Sequence, residues 1–215
     1  FRMKILCVGY RDWAIKIYKN LIIKKKKIYL HYTKSNLEKK ISKINPDMIL
    51  FYGWSWKIKE KIFKNYKCFM LHPSPLPKYR GGSPIQNQII RGEKMSAVTI
   101  FKINEIMDGG DIYFQKKISL MGSLSEIFKR IIVAGTKGTL KILNTKKIKI
   151  KKQNHNRATF FTRRKPEQSE ITIKEIKEKP AEYIANKIRM LENPYPNAFI
   201  KLNKGKLIIK KFKIK

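Results

Sequence analysis

Cysteine is almost missing from this 215-residue chain: Cys7 and Cys68 are the only two, each in an apolar run without a CxxC partner. That excludes a disulfide scaffold and a thiolate metal site, and it fits reduced thiols in a cytoplasmic protein. No apolar run approaches the roughly 18 residues that a membrane span needs. The opening FRMKILCVGY is too short and strand-like for a signal peptide. Internal repeats are absent, and VGYRDWA offers only Gly9 where a dinucleotide fingerprint would need GxGxxG.

Acidic residues are the other shortage, 15 Asp and Glu against 50 Lys and Arg, a formal charge of +35. One reading is a phosphate-bearing partner, nucleic acid or an anionic membrane surface. The other is the codon bias of an A/T-rich genome, because the lysines run the length of the chain among isoleucines and asparagines. On either reading, the field draws phosphate-bearing substrates towards a cleft, and salt weakens that pull.

Forty-two per cent of the residues are hydrophobic, enough for one sizeable domain and a small appendage. MKILCV (3–8), Ile28 to His31, Asp47 to Tyr52 and Lys67 to Leu71 read as strands. Helical spacing lies between them at Asp12 to Leu21, Ser35 to Ile44 and Ile58 to Asn65. That alternation predicts an α/β fold, a Rossmann-like, mostly parallel sheet flanked by helices. Ser83, Pro84 and Gln86 read as cap, first helical residue and capping-box partner of a helix stopped by Gly92. Strands at Ala97 to Ile103 and Ile112 to Leu120 flank the turn Asp108-Gly109-Gly110-Asp111, and Ser123 with Glu126 opens a long helix. The domain expected over 1–150 is followed by a polar, basic linker at 151–165. A small C-terminal unit with a helix after Pro180 and a hairpin turning at Asn203-Lys204-Gly205 fills 166–215. So small a unit cannot bury much core alone and has to pack on the first domain or on a second subunit, so a homodimer is one possibility.

His72 ends the fourth strand, at the carboxyl edge where open α/β sheets bind ligands, and Pro73, Pro75 and Pro77 stiffen the loop behind it. A histidine there is a structural residue as readily as a catalytic one. Asp108, at the end of a neighbouring strand, is placed to hydrogen-bond the imidazole and fix its tautomer. Its alternative role is that of an ordinary turn residue before glycine.

At HPSPLPKYRGGSPIQ, VTIFKINEIMDGGDI, RRKPEQSEITI and IRMLENPYPNAF the chain resembles the folate-dependent formyltransferases, a family holding methionyl-tRNA formyltransferases and nucleotide-sugar N-formyltransferases. The resemblance implies transfer of formyl from 10-formyltetrahydrofolate to a primary amine, without a metal, with His72 and Asp108 as the catalytic pair. It implies a folate pocket at Tyr52, Gly53, Trp54, Ser55 and Trp56 together with Ile106 and Met107; the tryptophans read equally as core. For the amine substrate, Ser74, Lys78, Tyr79, Arg80, Gly81 and Gly82 form a basic, glycine-bearing loop suited to a pyrophosphate. The family usually carries asparagine two residues before the histidine, as oxyanion donor, and here Met70 stands in its place. Backbone N–H groups beside His72, protonated His72 and Asn87 are the candidate substitutes, with Gln86 set aside because capping would occupy it.

Since only about 50 residues follow the linker, a nucleotide-linked 4-amino-4,6-dideoxy sugar is the expected acceptor, in the biosynthesis of surface polysaccharide such as lipopolysaccharide O-antigen. Nucleic acid and membrane are not expected partners. The alternatives are a methionyl-tRNA formyltransferase-like enzyme, which the positive charge favours, and a binding homologue whose Met70 marks a decayed site.

Overall fold

The computed structural model describes residues 3–21, 27–145 and 147–214. A six-stranded sheet in the order β2-β1-β3-β4-β6-β7 forms the centre. Strands β1 (Lys4–Val8), β2 (Lys27–His31), β3 (Met48–Tyr52) and β4 (Lys67–His72) run parallel. Helices α1 (Asp12–Leu21), α2 (Leu37–Ile44) and α3 (Glu60–Asn65) lie between them in the chain. After the short β5 (Arg80–Gly81) and α4 (Pro84–Ile90), strands β6 (Met95–Lys102) and β7 (Ile112–Ser119) extend the β4 edge antiparallel. The mostly parallel α/β sheet expected from the alternation is therefore present.

Its inner strands are apolar over most of their length because both faces are covered: β3 is buried at every position and β1 from Ile5 to Val8. Ile5, Cys7, Leu50 and Tyr52 pack with α1 and the long α5 (Leu124–Asn144). Leu6, Val8, Ile49 and Phe51 pack with α2 and α3. Both cysteines are free and buried; burial pushes the Cys7 thiol up and the Cys68 thiol to about 12, so neither is a ready nucleophile. The capping box predicted at α5 forms, with Ser123 and Glu126 bonding each other's backbone N–H.

β1 has β2 on one side and β3 on the other, so the strand order reverses there and leaves a crevice at the strands' carboxyl ends. The basic stretch 151–165 lies against that rim. Lys151 pairs with Ile112, and β8 (Phe160–Phe161) pairs in parallel with β5. Beyond it come α6 (Ile173–Glu178), α7 (Ala181–Arg189) and the hairpin of β9 (Ala198–Lys201) and β10 (Lys206–Ile209). Ile171, Ile188, Met190, Leu191 and Ala198 join the same buried cluster as the sheet, so residues after 166 share its core. Among the described residues no helix is long and apolar enough to cross a membrane.

Candidate active site

His72 is the last residue of β4, held in register against Thr99 of β6. The proline loop behind it folds back on itself: the Ser74 hydroxyl donates to the Lys78 carbonyl at 2.9 Å, and the Thr99 hydroxyl donates to the Ser74 carbonyl at 2.7 Å. Tyr79, at φ +60°, then turns its own carbonyl onto the His72 ring, 2.7 Å from Nε2. A carbonyl only accepts, so Nε2 carries the proton and Nδ1 is the bare nitrogen of the neutral ring.

Asp108 comes to the same imidazole from the turn between β6 and β7. Its Oδ2 lies 3.7 Å from Nδ1, and both side chains are about nine-tenths buried. That is beyond hydrogen-bond length. The expected pair does meet, but the expected bond is corrected: Tyr79 sets the tautomer. Asp108 instead accepts a 2.8 Å bond from the Gly81 N–H and faces Nδ1 as a neighbouring negative charge.

A cavity of about 290 Å³ borders His72. Met70 and Phe51 form part of its wall, with Gly53, Trp54 and Ser55 after β3 and residues 81–86 leading into α4. Arg11, Arg163, Arg164 and Lys165 also line it, making one side cationic. Burial holds the Arg164 guanidinium below its ordinary range.

Several expected contacts fall elsewhere. Tyr52 is entirely buried, stacked on Tyr18 with its hydroxyl bonded to Thr139, so it is a core residue. Trp56 packs on Tyr10 and Trp54 outside the cavity wall. Ile106 and Met107 are exposed on the outside of the turn and line no part of the cavity. In the basic loop only Gly81 and Gly82 reach it. Ser74 is buried in the loop, Lys78 is exposed, and the Tyr79 hydroxyl donates to Glu93. Burial and that carboxylate push the Tyr79 phenol up to about 12. Arg80 points inward, its guanidinium 2.7 Å from Gln153 Oε1 and 3.1 Å from His155 Nδ1, so it meets no ligand directly. Burial lowers its pKa, against the opposing pull of Asp108.

The oxyanion donor has to be reassigned too. Asn87 is turned away, its Nδ2 donating to the Gly82 carbonyl at 2.9 Å, and it does not border the cavity. Ser83 sits at φ +48° with no capping bond, because its hydroxyl instead accepts the Arg164 N–H at 3.1 Å. A Cβ on Gly82 would lie 2.3 Å from the Arg163 nitrogen, so only glycine allows the two backbones to approach this closely. The capping box read at Ser83 and Gln86 does not form. Gln86 is therefore released: 4% exposed, on the cavity wall, its amide without a hydrogen-bond partner among the described residues. Gln86 is the residue the capping signature set aside; nothing in the sequence pattern marks Arg11 or Gln153, and Arg163 to Lys165 lie within a segment of the resemblance that carries no assignment. The same described residues hold no group of three or more His, Cys, Asp or Glu able to bind a metal.

The formyl transferase family matches residues 11–143. The methionyl-tRNA formyltransferase of Thermotoga sp. strain RQ2 is 33% identical over 172 residues, 76% of this chain and 54% of that protein. This chain thus spans about half the length of the curated relatives it matches. A methionyl-tRNA formyltransferase structure from Clostridium thermocellum superposes with a TM-score of 0.87 at 38% identity, covering 99% of this chain and 94% of the other. Two more distant structures share the fold alone. HypX from Aquifex aeolicus in complex with tetrahydrofolic acid has a TM-score of 0.84 at 18% identity, over 98% of this chain and 38% of that one. A sugar N-formyltransferase from a Shewanella species has 0.75 at 17%, over 99% of each. With its family matched over more than half its length and its sheet reproduced in that family's structures, this chain belongs to the formyl transferases.

Proposed function

We propose that the chain transfers the formyl group of 10-formyltetrahydrofolate to a primary amine, and that the acceptor is methionyl-tRNA. The observation that carries the reaction is the histidine: Nε2–H is tied to the Tyr79 carbonyl, which leaves Nδ1 as the only base on the ring, beside a carboxylate and next to a cavity. The amine nitrogen attacks the formyl carbon, and the carbonyl oxygen gains charge. Gln86 supplies the amide donor that Met70 cannot. His72 Nδ1 takes one proton from the amine while Asp108 faces the cation so formed, and returns it to N10 as that nitrogen leaves. The products are an N-formyl amine and tetrahydrofolate. Gly53, Trp54 and Ser55 are assigned to the folate.

The acceptor is argued from likeness. Relatives above 30% identity are methionyl-tRNA formyltransferases, and the cationic wall suits a phosphate-bearing molecule. A nucleotide-linked 4-amino-4,6-dideoxy sugar is the second reading. Arg163 and Arg164 line the cavity beside Gly81 and Gly82, and two neighbouring guanidinium groups suit a diphosphate. The deciding experiment gives the protein 10-formyltetrahydrofolate with methionyl-tRNA or with a panel of nucleotide-linked amino sugars, and follows tetrahydrofolate release. Faster release with methionyl-tRNA is expected. Turnover only with a sugar moves the acceptor to the second reading, and release with neither overturns the activity.

A further inference from the structure

We infer that Gln153 is a positioning residue for Asp108, holding both partners of the bond that aims its carboxylate at His72. The inference rests on the proposed reaction for its meaning, and on geometry for its content. In the stretch KKQNHNR only Gln153 is buried, at 6% exposure, among exposed neighbours. It is brought there by Lys151, whose N–H and carbonyl exchange bonds of 2.9 and 2.8 Å with Ile112 just after the Asp108 turn.

Its carboxamide then uses every hydrogen it has. Nε2 donates to the Asp108 carbonyl at 2.9 Å and to the Gly110 carbonyl at 2.7 Å. Asp108 sits at φ +49°, a left-handed conformation that a side-chain-bearing residue adopts only where its surroundings impose it. The turn has no slack, since a Cβ on Gly110 would lie 1.7 Å from the Lys102 carbonyl oxygen. On its other side, Gln153 Oε1 accepts the 2.7 Å bond from Arg80 Nη2. Arg80 directly precedes Gly81, whose N–H donates to Asp108 Oδ2. One amide thus braces the acceptor of that bond through the turn and its donor through Arg80. His155 also accepts from Arg80 but is itself exposed, so it is the weaker brace.

The test uses Gln153→Met, close in volume and without hydrogen bonds, and Gln153→Glu, which keeps an acceptor for Arg80 but has no hydrogens for the two carbonyls. Both are expected to lower kcat by about 10- to 100-fold while KM for 10-formyltetrahydrofolate moves less than about twofold. In an Asp108→Asn background the same changes should lower the residual single-turnover rate by less than about twofold, since the residue acts through that carboxylate. Amide hydrogen exchange at Gly81 should quicken in both variants with exchange in β1 and β3 unchanged, a result that needs no activity at all. Equal losses in the two backgrounds, or undiminished Gly81 protection, would overturn the inference. A wild-type protein that forms no tetrahydrofolate sinks the proposed function instead and leaves the exchange measurement to decide this one.

Discussion

Two buried polar networks sit in this molecule, and they are completed to different degrees. In the small C-terminal unit Lys187, 4% exposed, donates to both Glu175 oxygens at 2.7 Å and to the Glu170 carbonyl at 2.5 Å. Glu175 also accepts from the Thr172 N–H and the Tyr183 hydroxyl. All three ammonium hydrogens are matched. At the sheet rim the count does not close: His72 and Asp108 stop 3.7 Å apart, and the Gln86 amide on the cavity wall has no hydrogen-bond partner among the described residues. A saturated network holds a fold, whereas one with unmet groups beside a cavity is waiting for a substrate. Substitutions in the first should change stability and spare the rate, and those in the second should do the reverse.

The largest effect should come from the rim. His72→Ala removes the base, and formyl transfer in a single turnover is expected to fall about 10²- to 10⁴-fold. A rate within a few fold of wild type would take the rim out of the chemistry. Gln86→Leu, of similar volume, should cost about 10²- to 10³-fold, the usual loss for one oxyanion donor, with an unchanged melting temperature. Gln88, two residues on, supplies the contrast. Gln88 Nε2 holds the Pro73 and Pro84 carbonyls at 3.0 and 2.9 Å. Gln88→Leu leaves the Pro73 carbonyl unpaired and should lower stability by about 1 to 3 kcal/mol instead.

That pair of glutamines also measures how much of the site could be read in advance. The sheet and its crossover helices follow from apolar periodicity, and the meeting of His72 with Asp108 from their places at the ends of neighbouring strands of that sheet. Ser123 and Glu126 obey their capping signature because nothing distant competes for Ser123. Ser83 carries the same signature and breaks it, since residues 161–164 return to lie against Gly81 to Ser83 and take its hydroxyl. No window around Ser83 contains that contact, so Gln86 was set aside for a bond it never makes. Gln153 was illegible for a related reason. A single buried amide in a run of lysines and asparagines has no period, and its value lies in three partners more than forty residues away.

The saturated network should answer to acid and to charge removal. Burial alone would push the Glu175 carboxyl up, but the bonds from Lys187, Thr172 and Tyr183 outweigh it and hold it below the ordinary range. A carboxyl depressed on folding stabilises above its unfolded pKa, and that contribution is lost as pH falls through the folded value. Glu175→Gln leaves Lys187 buried opposite a neutral group. It should lower unfolding stability by about 3 kcal/mol at neutral pH and flatten the acid limb of the stability curve. Below its melting range the variant should keep wild-type kcat. A matching drop in kcat would mean that the two networks are one.

The smallest effect concerns the excess of lysine, and it separates charge at the rim from charge at large. Lys116 and Lys117 lie on β7, the outer edge strand. Two strand spacings, about 10 Å, separate it from β4 and His72. At physiological salt the screening length is about 8 Å, so their field is mostly gone at the cavity. Replacing both by glutamine should raise KM for the acceptor less than about twofold there, and more at ~0.01 M salt, where screening extends to about 30 Å. Arg163→Ala, on the cavity wall, removes a charge in reach of the acceptor; losing one charge-assisted bond of about 1.5 kcal/mol raises KM about tenfold even at physiological salt. Should the edge lysines cost as much as Arg163 under those conditions, the diffuse charge is itself a binding surface and the cavity-centred account of acceptor recognition falls.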